Sequence, residues 1–153
     1  MIALFIGRFQ PFHLGHLDAL QQIAKKYDTI KVGIGSSNES GTDKNPYDFE
    51  TRVQMINSCS LEIPANLEFY PLPDFGNDDK WLKNTLEVVG DFDTVFTGNP
   101  HVNKLFEEKC FKTKTQIFNF DICGSDIRTL IKKKEKYSFL IPSSVYQIIK
   151  TLA

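Results

Sequence analysis

The sequence predicts an α/β fold built on a parallel β-sheet, and three observations predict it. Short runs rich in β-branched and aromatic residues alternate with segments whose apolar residues recur at helical spacing. The first run, Ile2 to Ile6, is apolar throughout, as a strand covered on both faces requires. Glycine-bearing breaks at Gly7, Gly35, Gly76 and Gly98 separate such runs from the segments after them. In this class of fold the crossovers are right-handed and ligands gather at the carboxyl ends of the strands. No internal repeat, low-complexity run or linker interrupts the chain, so a single domain over residues 1–153 is expected.

After Gly7 and a loop containing Pro11, the residues Leu17, Leu20, Ile23 and Ala24 mark the first helix. Thr29 to Gly35 (TIKVGIG) is a second strand, rich in β-branched residues and closed by glycine. Ser36 to Lys44 (SSNESGTDK) is polar and glycine-containing, hence a mobile loop, either a solvated connection or a functional lid. Asp48 is the expected N-cap of a second helix carrying Val53, Ile56 and Asn57. Leu67 to Leu72 (LEFYPL) is a third strand, left through Pro73-Asp74-Phe75-Gly76. Asp78 or Asp79 caps the next helix, which holds Trp81, Leu82, Thr85, Leu86 and Val89. Asp93 to Thr97 (DTVFT) is a fourth strand, and Gly98-Asn99-Pro100 leads into a helix through Leu105 and Phe106. Thr115 to Phe120 (TQIFNF) is a weaker fifth strand. A helix starts around Cys123-Gly124-Ser125-Asp126-Ile127-Arg128, with Ser125 placed to cap it, and Pro142-Ser143 starts the last, to about Leu152.

Apolar residues at 41% and charged residues at 24% are ordinary for a globular domain. A net charge of −1 argues against broad electrostatic binding to nucleic acid or to an anionic membrane. Any anionic ligand must then be held by local groups. The odd count of cysteines, Cys59, Cys110 and Cys123, lacks paired spacing and suits reduced thiols in the cytoplasm. No basic segment precedes the first apolar run and no apolar stretch approaches membrane-spanning length, so neither export nor insertion is expected.

The stretch MIALFIGRFQPFHLGH, residues 1–16, organises the chain. A buried strand ends in a glycine turn, and His13 and His16 sit where a helix begins, on one side of it. Backbone N–H groups and a helix dipole converge on an anion in that geometry. With Arg8 just upstream, the stretch reads as a phosphate cradle at a strand's carboxyl end. A zinc site fails for want of a third histidine or a cysteine pair at metal spacing, and no GxxxxGK[ST] is present.

GRFQPFHLGH resembles the HxGH nucleotidyltransferase signature in the form typical of archaeal-type nicotinamide-nucleotide adenylyltransferases. The resemblance extends over nearly the whole chain. It implies a Rossmann-like nucleotidyltransferase fold, a five-stranded parallel sheet in the order 3-2-1-4-5 with helices on both faces. It also implies ATP-dependent adenylyl transfer to nicotinamide mononucleotide, giving NAD and pyrophosphate, with Mg²⁺ carried by the substrate phosphates. A homo-oligomer is implied as well. His13 and His16 inherit contact with the ATP triphosphate, and with Arg8 and Arg128 they form the implied catalytic set. Gly7, Phe9, Lys44 (the basic residue before Asn45-Pro46), Gly98, Asn99 and Ser125 complete the implied ATP site. Gly98 and Asn99 match an SGNP segment with Thr97 in place of serine, and Gly124–Arg128 matches SGTxIR with Cys123 where serine is usual. Ser36, Asp74, Asn77, Asp78 and Trp81 fall at the implied mononucleotide site. Arg52 is read as structural, and His101 as a surface helix residue outside the site.

The residue types suit that chemistry. A 5′-phosphate is largely dianionic near neutrality, its second pKa being about 6, and needs no protein base to attack phosphorus. The protein must align two polyanions and stabilise the departing charge, which calls for cations and amides and for no nucleophile–base pair. A protonated imidazole at a helix N-terminus is opposed by the dipole, although a bound triphosphate can restore the charge. The lone tryptophan is either core or, as the resemblance implies, a platform for the pyridinium ring. Nicotinate mononucleotide would be repelled by Asp74 or Asp78. Pantetheine phosphate as acceptor, or a catalytically silent nucleotide-binding regulator, are the alternative readings.

Overall fold

β1 (Ile2–Gly7) forms the centre of the molecule because it is apolar on both faces. Ala3 and Phe5 point into one core and Leu4 and Ile6 into another, all with 5% exposure or less. Each larger apolar side chain of this kind contributes roughly 1.5–3 kcal/mol through burial. The computed structural model describes residues 1–115 and 121–152. In it β1 pairs with β2 (Thr29–Gly35) and β4 (Thr94–Thr97), while β3 (Asn66–Leu72) and β5 (Thr113–Thr115) flank them. Every pairing is parallel and the order is β3-β2-β1-β4-β5, as the sequence resemblance implied.

Helices cover both faces of this sheet. On one side α1 (Leu14–Ala24), α2 (Phe49–Asn57), α5 (Gly124–Lys132) and α6 (Ser143–Leu152) bury Leu20, Ile56, Ile127 and Val145 around Phe5 and Val32. On the other, α3 (Asp78–Val89) and α4 (Pro100–Glu108) bury Leu82, Val89 and Phe106 against Leu4 and Val95. Lys31 lies within β2 yet is 9% exposed. Its Nζ donates to Val89 O and Asp91 O, meeting the carbonyl end of α3 where a cation is favoured.

The caps differ from the sequence reading in two places. Asp48 caps α2 as expected, accepting from Thr51 N at 2.8 Å. At α3 the cap is Asn77, which accepts from Lys80 N at 3.0 Å, while Asp78 and Asp79 lie in the first turn. At α5 the N-cap position belongs to Cys123, and no side chain caps that helix; Ser125 already lies inside it. The expected fifth strand, Thr115 to Phe120, falls almost wholly outside the described residues; the observed β5 begins earlier, at Thr113.

Candidate active site

The loop from Gly7 to His13 turns sharply at the end of β1. Phe9 takes a left-handed backbone (φ 55°), and the Gln10–Pro11 bond is cis. The Phe9 side chain is in the core (1% exposed), so its ring serves as packing beneath the site. His13 is the N-cap of α1, with its Nδ1 accepting from His16 N while His16 Nδ1 accepts from His13 N, each at 3.2 Å. This is a capping box made of two imidazoles, one satisfying each orphan amide. The rings stack with centroids 3.6 Å apart and planes 17° apart. Phe9 meets His16 edge-on at 4.8 Å, and Phe12 stacks on it at 5.7 Å.

That packing sets the charge state. Burial pushes His13 down from 6.5 to about 4. Burial and then the neighbouring His13 hold His16 well below its ordinary value. Both rings are therefore neutral at pH 7. Because each Nδ1 accepts, each ring carries its proton on Nε2, and the pair presents N–H donors.

Arg52 sets the frame around these groups. It is fully buried, and its guanidinium donates to Arg8 O (3.0 Å), Gly35 O (2.7 Å) and Ser36 O (3.1 Å), with Nε reaching Asp48 O at 3.2 Å. Desolvation brings it down to about 10, offset by the Asp48 carboxylate, and it stays charged. One side chain of α2 thus fixes the ends of β1 and β2, next to the left-handed Phe9 and Ser36 (φ 48°). Gln10, 2% exposed, ties the same loop to the Asn45-Pro46-Tyr47 segment: its Nε2 donates to Tyr47 O and its Oε1 accepts from Tyr47 N.

Two cavities open at the carboxyl ends of the strands. The first, about 390 Å³, is lined by Gly7 and Arg8 at the end of β1, His16 at the start of α1 and Ser36 after β2. Asp74, Asp78 and Trp81 line it from the β3–α3 side, and Gly98, Asn99 and His101 from the β4–α4 side. Trp81 is half-buried, its inner edge against Phe106 with ring centroids 6.3 Å apart. The second cavity, about 450 Å³, is lined by Lys44, Tyr47, Ser125 and Arg128. Arg128 donates from Nη1 to Gln10 O at 2.8 Å, and a Cβ on Gly124 would stand 3.1 Å from that nitrogen and 3.4 Å from that oxygen. Arg8 stands between the two cavities: it lines the first, donates to Asn45 Oδ1 at 3.3 Å, and, after burial, lowers the pKa of Arg128 by its charge. Burial pushes Tyr47, beside Tyr137 and Arg128, up to about 12.

The expected site residues therefore divide. Gly7, Arg8, His16, Ser36, Asp74, Asp78, Trp81, Gly98 and Asn99 share one cavity, and Lys44, Ser125 and Arg128 the other. His13 supports His16 from behind, and Asn77 spends its side chain on the α3 cap, away from either lining. His101 corrects the sequence reading: it lines the first cavity and its Nε2 lies 3.0 Å from Asp78 Oδ2. Sequence reasoning also passed over Gln10, whose only signal was a glutamine set between the apolar residues Phe9 and Pro11. Among the described residues no group of three or more His, Cys, Asp or Glu gathers to hold a metal ion. Nor is any described helix long and apolar enough to cross a membrane.

A parallel sheet whose central strand ends in an anion-directed helix start, beside a cavity with an aromatic wall, defines a nucleotide-handling α/β protein. The chain belongs to the cytidylyltransferase-like family, whose model matches residues 4–130. It is similar to the nicotinamide-nucleotide adenylyltransferase of Archaeoglobus fulgidus, at 36% identity over 99% of this chain and 92% of that protein. With the protein of the same description from Thermococcus onnurineus it shares 37% identity over 97% of this chain and 82% of that one. Among solved structures, a bifunctional NMN adenylyltransferase/ADP ribose pyrophosphatase from Francisella tularensis, complexed with AMP and an Mn ion, matches with a TM-score of 0.71. That likeness, at 24% identity, is one of fold; it covers 92% of this chain and 44% of the other, so this chain spans less than half of that protein.

Proposed function

We propose that this chain, acting as one domain in the cytoplasm, is an ATP-dependent nicotinamide-nucleotide adenylyltransferase. The observation that carries the reading is the shared cavity: His16, from the two-histidine helix start, and Trp81, beside two carboxylates, line one space at the strand ends. The near full-length similarity to nicotinamide-nucleotide adenylyltransferases supports the choice of acceptor.

In the reaction an oxygen of the mononucleotide 5′-phosphate attacks the α-phosphorus of ATP. A new P–O bond forms, the bond from that phosphorus to the oxygen bridging the β-phosphate breaks, and its electron pair leaves on pyrophosphate. No proton has to move. The chain's work is to align the phosphates and to stabilise charge as it develops. His16 supplies a neutral Nε2–H donor at the N-terminus of α1, where the helix dipole adds to it, and His13 holds that ring in place through the reciprocal cap. Arg8, between the cavities, and Lys44 and Arg128, in the second, supply positive charge. Mg²⁺ enters on the ATP phosphates as part of the substrate. Trp81 offers its face to the pyridinium, a contact worth about 2 kcal/mol at a partly desolvated site. Self-association belongs to this reading and nucleic acid does not, since a net charge of −1 provides no broad basic field.

An acceptor screen with ATP and Mg²⁺, read by mass, tests it. NAD and pyrophosphate are expected with nicotinamide mononucleotide. Adenylylated pantetheine phosphate instead would overturn the acceptor, and no pyrophosphate with any acceptor would make the chain a nucleotide-binding regulator.

A further inference from the structure

The transfer scheme leaves one polar pair on the cavity wall without a task. Asp78 opens α3, His101 lies in the first turn of α4, and the two helix starts meet where His101 Nε2 lies 3.0 Å from Asp78 Oδ2. Both side chains line the cavity that holds Trp81, and at 61% and 57% exposure both are open to a ligand. Trp81 stands three residues beyond Asp78, on the same side of α3. We propose that the His101–Asp78 pair sets the choice between acceptors bearing a carboxamide and acceptors bearing a carboxylate on the pyridinium ring, with His101 the residue that admits the carboxylate. The inference rests on the adenylyl-transfer reading and names the substrate range of that same site.

Charge separates the two acceptors. Nicotinamide and nicotinate mononucleotides share a cationic ring, and only the latter adds an anionic substituent. Asp74 and Asp78 line the same cavity, and bare they would attract the ring and repel that substituent. The His101 ring nitrogen 3.0 Å from Asp78 Oδ2 partners that carboxylate and blunts its repulsion of an anionic substituent. The second ring nitrogen can then meet either substituent, accepting from a carboxamide NH₂ as a lone pair or donating to a carboxylate as N–H. An aspartate alone can do only the first. The other basic side chains of this cavity, Arg8 and His16, sit at the end of β1 and the start of α1.

The test measures kcat/KM for both mononucleotides, with ATP and Mg²⁺, in wild type, His101→Ala, His101→Gln and the double variant His101→Ala/Asp78→Asn. In His101→Ala the nicotinamide-to-nicotinate ratio should rise about tenfold, as expected for one uncompensated charge near a partly exposed site. His101→Gln keeps a donor on Asp78 and should move the ratio less. In the double variant the ratio should return to within about threefold of wild type, because the repelling charge has gone. A purely structural tie between α3 and α4 would lower both acceptors equally. That result, a ratio changed less than about twofold in His101→Ala, or no recovery in the double variant would overturn the inference while transfer to nicotinamide mononucleotide stands. A wild type that uses neither acceptor would refute the transfer reading and the inference together.

Discussion

Acidification should loosen this protein through His13 before it protonates the bulk of its carboxylates. Folding buries the imidazole and takes its pKa from 6.5 to about 4, so the unfolded chain binds the proton first. Nothing is therefore lost above pH 6.5, stability falls as the pH drops through the interval, and the loss levels off below pH 4. At about 1.4 kcal/mol per pH unit the full interval amounts to roughly 3 kcal/mol, of which about 1.5 kcal/mol falls between pH 6.5 and 5. His16, held low by burial and by His13, adds a loss of the same sign. Urea denaturation in steps across pH 5–7.5 measures the slope for wild type and for His13→Asn. Asparagine retains an N-cap acceptor for α1 and removes the titrating ring. The difference in unfolding free energy between the two proteins should change by about 1.5 kcal/mol across the lower part of that range. Parallel curves for wild type and variant would refute the claim that His13 is held neutral by the fold.

The site geometry sets three further outcomes. Arg52→Met removes the donor shared by Arg8 O, Gly35 O and Ser36 O and should cost on the order of 3–5 kcal/mol in urea unfolding; a loss under about 1 kcal/mol would show that water replaces it. His16→Ala should lower kcat by roughly 10²–10³ while costing only about 1 kcal/mol of stability, and Arg128→Lys should remain impaired because lysine lacks the planar fork that reaches Gln10 O; near-normal turnover in either folded variant contradicts its role. Trp81→Phe and then Trp81→Ala should raise KM for the mononucleotide in steps and spare KM for ATP, whereas equal losses for both substrates with a lowered melting temperature would return Trp81 to the core.

The central strands and the two-histidine helix start were legible because each depends on local pattern. Ile2–Ile6 is apolar without interruption, and His13 and His16 share a helix face at their spacing. The strand order was carried by resemblance, since no spacing within the chain says which strands pair. Features that escaped local reading were decided across the fold. Asn77, Asp78 and Asp79 are all good caps, and the extended backbone at Asn77 (φ −151°, ψ 123°) settles which one is used. His101 sits on a polar helix face in sequence, yet the start of α4 lies above the carboxyl end of β4, where that face lines a cavity. Arg52 is structural, as read, but its partners are main-chain carbonyls at the ends of β1 and β2, a set that no side-chain pattern reveals.

Arg52 also decides how the 37–47 segment can change over generations. It grips the chain where that segment departs, at Gly35 and Ser36, and again where it ends, at Asp48. The gap between the two anchors is therefore spanned by a strap whose buckles do not shift when its length does. Doubling such a strap adds only about 0.6 kcal/mol of closure entropy. Changes in the length or charge of residues 37–43, of which Thr42 and Asp43 line the second cavity, would then alter that cavity while β1, β2 and the histidine pair keep their places.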